Sequence, residues 1–337
     1  MMESLKKYFE GKSCVTTVLL NPVRTGSRSL SATHHPLVII HLVALLFFCV
    51  CCVSCEKDFD IRIEANTPQL VVEAYINNQM RDYNYVILSR SLDYLSPNFQ
   101  SIPVSKASVF ITEGEVVNNK YSWNPASKVQ LLEVDMPNVP TTFTNGIYFD
   151  PRLITNAQHA LLGTAGKSYL LEISEGGKQY SAITTLLQPV AIDSLTIGYP
   201  YVNEDDSTNR VRLTNHYKDP DTLNNTQFYY YRFFENRNSF GWGGLSKSRT
   251  SGTDDLTNGE YIHLTHPRGF VIPDTINYYM ASVTRDVYTF WDTFNKARDN
   301  NGPFATPVTL SSNIRGTNVT GCFSGLSLSS RTVILRK

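Results

Sequence analysis

The chain has 337 residues and no formal net charge, and 42% of its residues are hydrophobic, 12% aromatic and 18% charged. This composition is not that of a disordered protein, because disordered chains have too few apolar residues to bury a core. The chain also has no excess of Lys and Arg to neutralise phosphates, which disfavours a nucleic-acid-binding function. Its length predicts about two domains.

The first predicted element is the apolar run LVIIHLVALLFFCVCCV at residues 37–53. Its length lies between that of a secretory h-region, about 7–15 residues, and that of a membrane-spanning helix, about 20 residues. The run leads into Cys52-Val53-Ser54-Cys55, which resembles a bacterial lipobox, in which a small residue precedes the lipidated cysteine. We therefore predict that residues 1–54 are an N-terminal extension with a lipoprotein signal peptide and that Cys55 is the lipid-attachment residue. The alternative is a plain N-terminal transmembrane anchor.

Residues 55–66 are predicted to form a tether between the lipid and the folded part of the chain. The tether contains Glu56-Lys57-Asp58, and a Lys followed by an acidic residue just after the lipidated cysteine resembles a surface-export signal of bacterial lipoproteins. Two acyl chains anchor a protein stably, and a triacylated cysteine has three. These features predict an outer-membrane protein that is lipid-anchored and exposed at the cell surface.

Cysteine positions fit this prediction. Of the six cysteines, Cys14, Cys49, Cys51 and Cys52 precede the predicted cleavage point. With Cys55 lipidated, Cys322 is the only thiol left in the mature chain. We therefore expect no intramolecular disulfide, no cysteine zinc site and no cofactor.

Residues 67–189 show the period-two alternation of β-strands and are predicted to form a β-sandwich-like domain. Every second residue from Leu70 to Ile76 is apolar. The sequence Glu175-Gly176-Gly177-Lys178 predicts a tight hairpin, because Gly accepts positive φ. Glu113-Gly114 predicts another turn.

Gln188-Pro189-Val190 predicts a boundary, and a second, C-terminal β-rich domain is predicted over residues 190–337. One helix is predicted near its end, because apolar side chains recur at helical spacing at Val287, Phe290, Trp291, Phe294 and Ala297. Many short strands at roughly 8–12-residue spacing are typical of a sandwich or barrel. The sequence thus predicts an all-β fold with two β-sandwich-like domains and one short helix near the C-terminus.

Motifs that suggest chemistry have structural explanations. Gly166-Lys167-Ser168 resembles part of a phosphate-binding loop, but Leu161 stands where that loop needs its first Gly. His263 and His266 are three residues apart on a predicted strand, so they point to opposite faces of a sheet. We therefore expect no metal site and assign no catalytic residue.

The Gly-, Ser- and Asn-rich stretch at residues 236–259 contains Phe240-Gly241-Trp242-Gly243-Gly244. Large aromatic side chains in a Gly-flanked loop are poorly placed for core burial and could stack on sugars or anchor a partner. The alternative is that the loop folds back and buries both rings. Phe240 and Trp242 are therefore candidate ligand-binding residues.

Segments along the whole mature chain resemble, in order, domain-of-unknown-function family 4249, a group of Bacteroidota outer-membrane lipoproteins. They include residues 70–76, 86–91, 169–171, 180–182 and 192–195, Pro103-Val104-Ser105-Lys106-Ala107, Phe228-Tyr229-Tyr230-Tyr231-Arg232 and Gly321-Cys322-Phe323-Ser324-Gly325. The resemblance implies a surface or outer-membrane lipoprotein that is often encoded near TonB-dependent transporters. It implies no established activity and no catalytic residue.

We expect a non-enzymatic binding or accessory module beside a TonB-dependent nutrient transporter, held to the outer membrane by its lipid and binding a ligand of unknown identity. One alternative is a surface hydrolase that acts on glycans or peptides, and another is a structural or adhesive surface protein. A cleft that collects two carboxylates or a His-Ser pair would favour the hydrolase. An open aromatic groove would favour a binding module.

Overall fold

Strand pairing organises the chain, as its alternating pattern predicts. The computed structural model describes residues 68–92, 102–133, 144–233, 245–267, 269–300 and 308–336. All of them lie in the compact unit formed by residues 64–337. Strands predominate and helices are few, so the predicted all-β class is confirmed.

The described strands up to residue 185 are joined by short connections that include the helix α1 (Arg152–Thr155) and the 3₁₀ turns η1 (Arg81–Tyr83), η2 (Pro125–Ser127) and η3 (Ala157–His159). The sequence pattern did not indicate α1. The strands are β1 (Leu70–Asn77), β2 (Tyr85–Arg90), β3 (Ile102–Pro103), β4 (Ser108–Val117), β5 (Lys120–Trp123), β6 (Val129–Glu133), β7 (Ile147–Phe149), β8 (Ser168–Glu175) and β9 (Lys178–Thr185).

The rest of the described chain adds the helix α2 (Arg285–Asp299) and further strands. Among the described residues, no helix has the length and apolar character needed to cross a membrane. The strands are β10 (Ser194–Ile197), β11 (Tyr201–Val202), β12 (Asn209–Val211), β13 (Leu213–Lys218), β14 (Thr226–Phe233), β15 (Leu245–Thr253), β16 (Tyr261–Thr265), β17 (Phe270–Val271), β18 (Asp274–Val283), β19 (Ile314–Arg315) and β20 (Val319–Leu335).

Fourteen of these strands form one sheet in the order β15-β14-β18-β20-β1-β2-β7-β6-β4-β8-β9-β19, with β3 on β2 and β5 on β4. Two three-stranded sheets, β10-β13-β16 and β11-β12-β17, complete the described part. Strands far apart in the large sheet share one core, which contains Val72 of β1, Leu171 of β8 and Phe323 of β20. The large sheet therefore folds over itself in the manner of a β-sandwich.

The long strand β20 joins early and late parts of the chain. Its first half runs parallel to β1, with Leu70 opposite Val319, and its second half runs antiparallel to β18, with Asp274 opposite Leu335. The predicted domain boundary at residues 189 and 190 stays a prediction. Strands from both sides of that boundary are nevertheless hydrogen-bonded in one sheet.

Burial follows the predicted alternation in β1. Leu70, Val72, Ala74 and Ile76 are each at most 1% exposed and belong to the same core. Burying a Leu, Val or Ile side chain contributes about 1.5–3 kcal/mol. The apolar face of β1 therefore fixes its register and its position in the sandwich.

The predicted helix is confirmed as α2, and it packs on a second core. Val287 and Phe290 are buried against the cluster that contains Leu326 and Leu328 of β20. Phe294 is 37% exposed, because only the first part of the helix lies over the cluster.

The predicted hairpin at residues 175–178 is confirmed. Glu175 of β8 pairs with Lys178 of β9, and Gly176 and Gly177 have φ values of 57° and 77°. These angles suit a two-residue turn that matches the twist of the paired strands.

The predicted turn at Glu113-Gly114 is wrong. Strand β4 continues to Val117, and the turn into β5 is made by Asn118 and Asn119, which have φ values of 50° and 59°. Gly114 faces Trp123 on β5, and a Cβ atom there would lie 2.6 Å from the carbonyl oxygen of Ser122. Gly114 is therefore explained by the close approach of β5 and not by a turn.

Candidate functional site

An open cleft of about 690 Å³ lies beside the connection between β7 and β8. Its walls come from three segments, residues 126–130, 150–152 and 159–164. Arg81 of η1, Glu113 of β4 and Tyr169 of β8 complete the lining. The lining is about equally polar and apolar and contains groups of both charges, so the contacts of each charged group decide what the cleft can do.

The Asp150 carboxylate holds one wall of the cleft in place. It is buried and accepts hydrogen bonds from Arg152 Nη2 at 2.7 Å, from the Arg152 backbone N–H at 2.9 Å and from the Leu161 backbone N–H at 2.7 Å. Burial raises the pKa of the Asp150 carboxyl, but these hydrogen bonds outweigh burial and leave the pKa below its usual range. Asp150 is therefore ionised at neutral pH and ties α1 to the residues that follow η3.

Tyr169 links the opposite wall to the same connection. Its hydroxyl donates to Glu113 Oε2 at 2.6 Å and accepts from the Thr164 backbone N–H at 2.6 Å. Burial, and then the hydrogen bond to Glu113, raise the pKa of Tyr169. The phenol therefore stays protonated at neutral pH and acts as a hydrogen-bond donor.

The connection from residue 160 to residue 163 is also bonded to the turn between β1 and β2. Arg81 donates to the carbonyl oxygen of Ala160, and Asn84 Nδ2 donates to the carbonyl oxygen of Leu161 at 2.8 Å. The Gly163 backbone N–H donates to the carbonyl oxygen of Asn77 at 2.8 Å. These bonds give the cleft a fixed wall before any ligand binds.

The rim of the cleft presents Lys128, Gln130 and His159, which are exposed. Lys128 Nζ lies 2.7 Å from Glu172 Oε2, and His159 Nδ1 lies 2.9 Å from Asn156 Oδ1. The exposed ion pair between Lys128 and Glu172 is weak and can exchange with a ligand. The accessible groups of the cleft are therefore suited to a polar ligand.

Ser127, which precedes Lys128 in the lining, is the candidate nucleophile of the cleft, but its hydroxyl has a structural role. Its Oγ donates to the carbonyl oxygen of Asn124 at 2.7 Å and accepts from the Glu113 backbone N–H at 2.9 Å. No described contact joins Ser127 to His159. The described lining thus has two carboxylates but no Ser-His nucleophile arrangement.

Cys55, Phe240 and Trp242 lie outside the described residues, so their predicted roles stay predictions. Gly166-Lys167-Ser168 leads directly into β8, and Lys167 Nζ pairs with Glu115 Oε2 at 2.5 Å. This segment opens a strand and not a helix, in contrast to a phosphate-binding loop.

His263 and His266 lie on opposite sides of their sheet. His263 is exposed, whereas His266 is buried with its Nε2 2.7 Å from the Tyr278 hydroxyl. Burial lowers the pKa of His266 to about 4. In the described part of the chain, no group of three or more His, Cys, Asp and Glu residues is placed to hold a metal ion.

Sequence reasoning missed the cleft entirely. Arg81, Glu113, Asp150 and Tyr169 come from separate segments, and no local pattern marks any of them. Knowledge of the strand order would have been needed to place them together.

A family model described as "Domain of unknown function (DUF4249)" matches residues 56–332, which is more than half of the chain. The chain belongs to this family. The resemblance drawn from the sequence is thereby confirmed, and the DUF4249 match extends from the residue after Cys55 almost to the end of β20.

Other comparisons add little to the DUF4249 assignment. No curated protein matches the chain. Eight chains of solved structures match, and one of them is titled "Cytokine receptor complex - Crystal form 1A". That match has 10% sequence identity and a TM-score of 0.21, and it covers 80% of this chain and 97% of the other. At this TM-score the likeness supports no statement on fold or function.

Proposed function

We propose that this DUF4249 protein is a lipid-anchored protein of the bacterial outer-membrane surface that binds a ligand or partner beside a TonB-dependent transporter. The observation that supports the location most strongly is Cys52-Val53-Ser54-Cys55 at the end of the apolar run of residues 37–53. The DUF4249 match begins at residue 56, directly after the predicted lipid-attachment residue. A tether of residues 55–66 would then precede β1.

The cleft supports a binding role. Asp150 and Tyr169 are each committed to hydrogen bonds that hold the walls together, and Lys128 and His159 are left accessible at the rim. A pre-formed cleft with a few accessible polar groups is typical of ligand sites. Such an arrangement can recognise a polar ligand without chemical change.

Affinity purification of the tagged full chain from outer membranes tests this role. We expect a TonB-dependent transporter to be recovered with the wild-type protein. Replacing both Phe240 and Trp242 with Ala is expected to reduce that recovery, because large aromatic side chains are typical anchors of interfaces. Tyr199→Ala, which removes an aromatic side chain that is 95% exposed, is the matched control and should leave recovery unchanged.

Recovery of no transporter, together with no binding to any glycan or peptide, would contradict the accessory role. If the double variant recovers the transporter as well as the wild type does, the predicted roles of Phe240 and Trp242 are wrong, but the accessory role is not contradicted.

A surface hydrolase is the second candidate function, because Glu113 and Asp150 both line the cleft. Glycoside hydrolysis requires one carboxyl group that is protonated and one that is ionised. Asp150 is fixed by Arg152 and held ionised, so Glu113 is the carboxyl group of the pair that is left to act on a substrate. If purified protein hydrolyses glycans, Glu113→Gln should abolish product release, and hydrolysis that survives this change would contradict the assignment.

A further inference from the structure

The three-stranded sheet β10-β13-β16 has a polar outer face with two histidines side by side. His216 of β13 lies directly opposite His263 of β16 in the strand register. His263 is exposed and His216 is half-buried, so solvent reaches both rings. The cleft described above and the predicted loop residues do not include either histidine.

The backbone pairing explains why these two side chains meet. The His266 N–H donates to the Leu213 carbonyl oxygen and the Asp219 N–H donates to the Glu260 carbonyl oxygen, each at 2.9 Å. Hydrogen-bonded and non-hydrogen-bonded pairs alternate along antiparallel strands. The pair of His216 and His263 is three positions away from each of these two hydrogen-bonded pairs. It is therefore a non-hydrogen-bonded pair. Side chains are closest at such pairs.

The ring geometry brings two potential ligand atoms together. The Nδ1 atoms of His216 and His263 are 2.6 Å apart, and the ring centroids are 4.8 Å apart. A tetrahedral zinc ion with Zn–N distances of about 2.0–2.1 Å would need these two atoms about 3.3 Å apart. Without a metal, the 2.6 Å contact is a hydrogen bond in which one Nδ1 donates to the other. Zinc binding therefore replaces the proton in this bond and turns the rings slightly apart, which the solvent-accessible side of each ring permits.

Thr196 of β10 orients the first of these ligands. His216 Nε2 lies 2.8 Å from Thr196 Oγ1. When Nε2 donates its proton to this hydroxyl, Nδ1 keeps the lone pair that a metal requires. Metal-binding histidines are commonly oriented in this way by an oxygen that accepts from the other ring nitrogen.

A carboxylate is linked to the second ligand through Tyr261. The Tyr261 ring is 5.5 Å from the His263 ring, and the Tyr261 hydroxyl donates to the Asp193 carboxylate. The negative charge of Asp193 favours a cation on this face. Lys218, on the same face, is paired with Asp221 at 3.7 Å.

From this geometry we infer that His216 and His263 form a two-histidine binding site for a transition-metal ion such as Zn²⁺, on the outer face of the β10-β13-β16 sheet. Two protein ligands leave the remaining coordination positions to water or to a ligand from another molecule. Imidazole favours Zn²⁺, Ni²⁺ and Cu²⁺ over Ca²⁺ and Mg²⁺, which prefer oxygen ligands.

Calorimetric titration of the mature chain, residues 55–337, with Zn²⁺ tests the site, because residues 1–54 contain further histidines and cysteines that could bind zinc. We expect one saturable site, and no comparable binding of Ca²⁺. His216→Ala and His263→Ala should each weaken zinc binding by about tenfold or more, and Thr196→Val should weaken it by less. His159→Ala, which removes the other exposed histidine of the described residues, should leave zinc affinity unchanged.

Absence of saturable zinc binding by the wild-type chain, or unchanged affinity in both histidine variants, would overturn the inference. X-ray absorption of the zinc-loaded wild-type chain gives a readout that does not depend on any variant. Two imidazole nitrogens at about 2.0–2.1 Å are expected, and a zinc shell without imidazole would contradict the site.

Discussion

Gly321 of β20 is the position where a single added methyl group is expected to be most damaging to the fold. It pairs with Val72 of β1 and has a φ of 138°, a value that residues with a side chain rarely adopt. A Cβ atom at Gly321 would overlap the carbonyl oxygen of Val72 and lie 2.7 Å from its backbone nitrogen and carbonyl carbon. The substitution Gly321→Ala therefore forces the main chains of two buried strands apart.

The expected loss of stability has two parts. A side chain at positive φ costs about 1–2 kcal/mol. Overpacking in a well-packed interior costs about 1–3 kcal/mol, and the upper end applies here because main-chain atoms must move. We expect Gly321→Ala to lower the free energy of unfolding by about 3–5 kcal/mol, a large part of the about 5–15 kcal/mol typical of a protein.

Gly177→Ala is the matched control. Gly177 also has a positive φ, at 77°, but a Cβ atom there meets nothing within 4 Å. Only the backbone strain of about 1–2 kcal/mol is expected at this position. The difference between the two variants therefore isolates the steric conflict between β20 and β1.

Urea unfolding of the full chain, followed by tryptophan fluorescence, measures both variants. Trp291 donates a hydrogen bond to Ser324 of β20, so its indole reports on the strand that the substitution disturbs. Free energies are obtained by linear extrapolation and compared at equal m-values. If Gly321→Ala and Gly177→Ala lose the same stability, the parallel pairing of β20 with β1 described above is wrong.

Two further predictions concern contacts outside this pairing. Asp150→Asn should lower the free energy of unfolding by about 2 kcal/mol, because it removes the charge that Arg152 and two backbone N–H groups bind. Because the pKa of Asp150 is lowered in the folded protein, its carboxylate stabilises the fold above the usual carboxyl pKa of about 3.9. This stabilisation disappears as the pH falls further and Asp150 is protonated. The urea midpoints of wild type and Asp150→Asn should therefore converge in acid. Trp291→Phe removes the hydrogen bond from Trp291 to Ser324 at 3.0 Å and should lower the free energy of unfolding, measured by thermal unfolding, by about 1 kcal/mol. Phe294→Leu, at an exposed ring, should change the stability little.

Local patterns in the sequence predicted the elements whose causes are local. The alternation in β1 and the glycines of the hairpin at residues 175–178 were sufficient to place those elements. The helical spacing from Val287 to Ala297 was sufficient to identify α2. In each case the residues that determine the element lie next to one another in the chain.

Features that depend on distant pairing could not be predicted. The turn predicted at Gly114 is wrong because this glycine is required by the strand β5 that packs beside it. The parallel pairing of β1 with β20 joins segments from opposite ends of the folded chain. The same applies to the cleft around Asp150, and to His216 and His263, which are adjacent only because β13 pairs with β16.

The intact mass of the mature protein, purified from outer membranes, tests the proposed anchor at Cys55 most directly. We predict a chain that begins at Cys55 and whose mass exceeds that of the polypeptide by one diacylglyceryl group and one N-linked acyl chain. An unmodified Cys55, or a chain that retains residues 37–53, would contradict the lipid anchor and with it the proposed surface role.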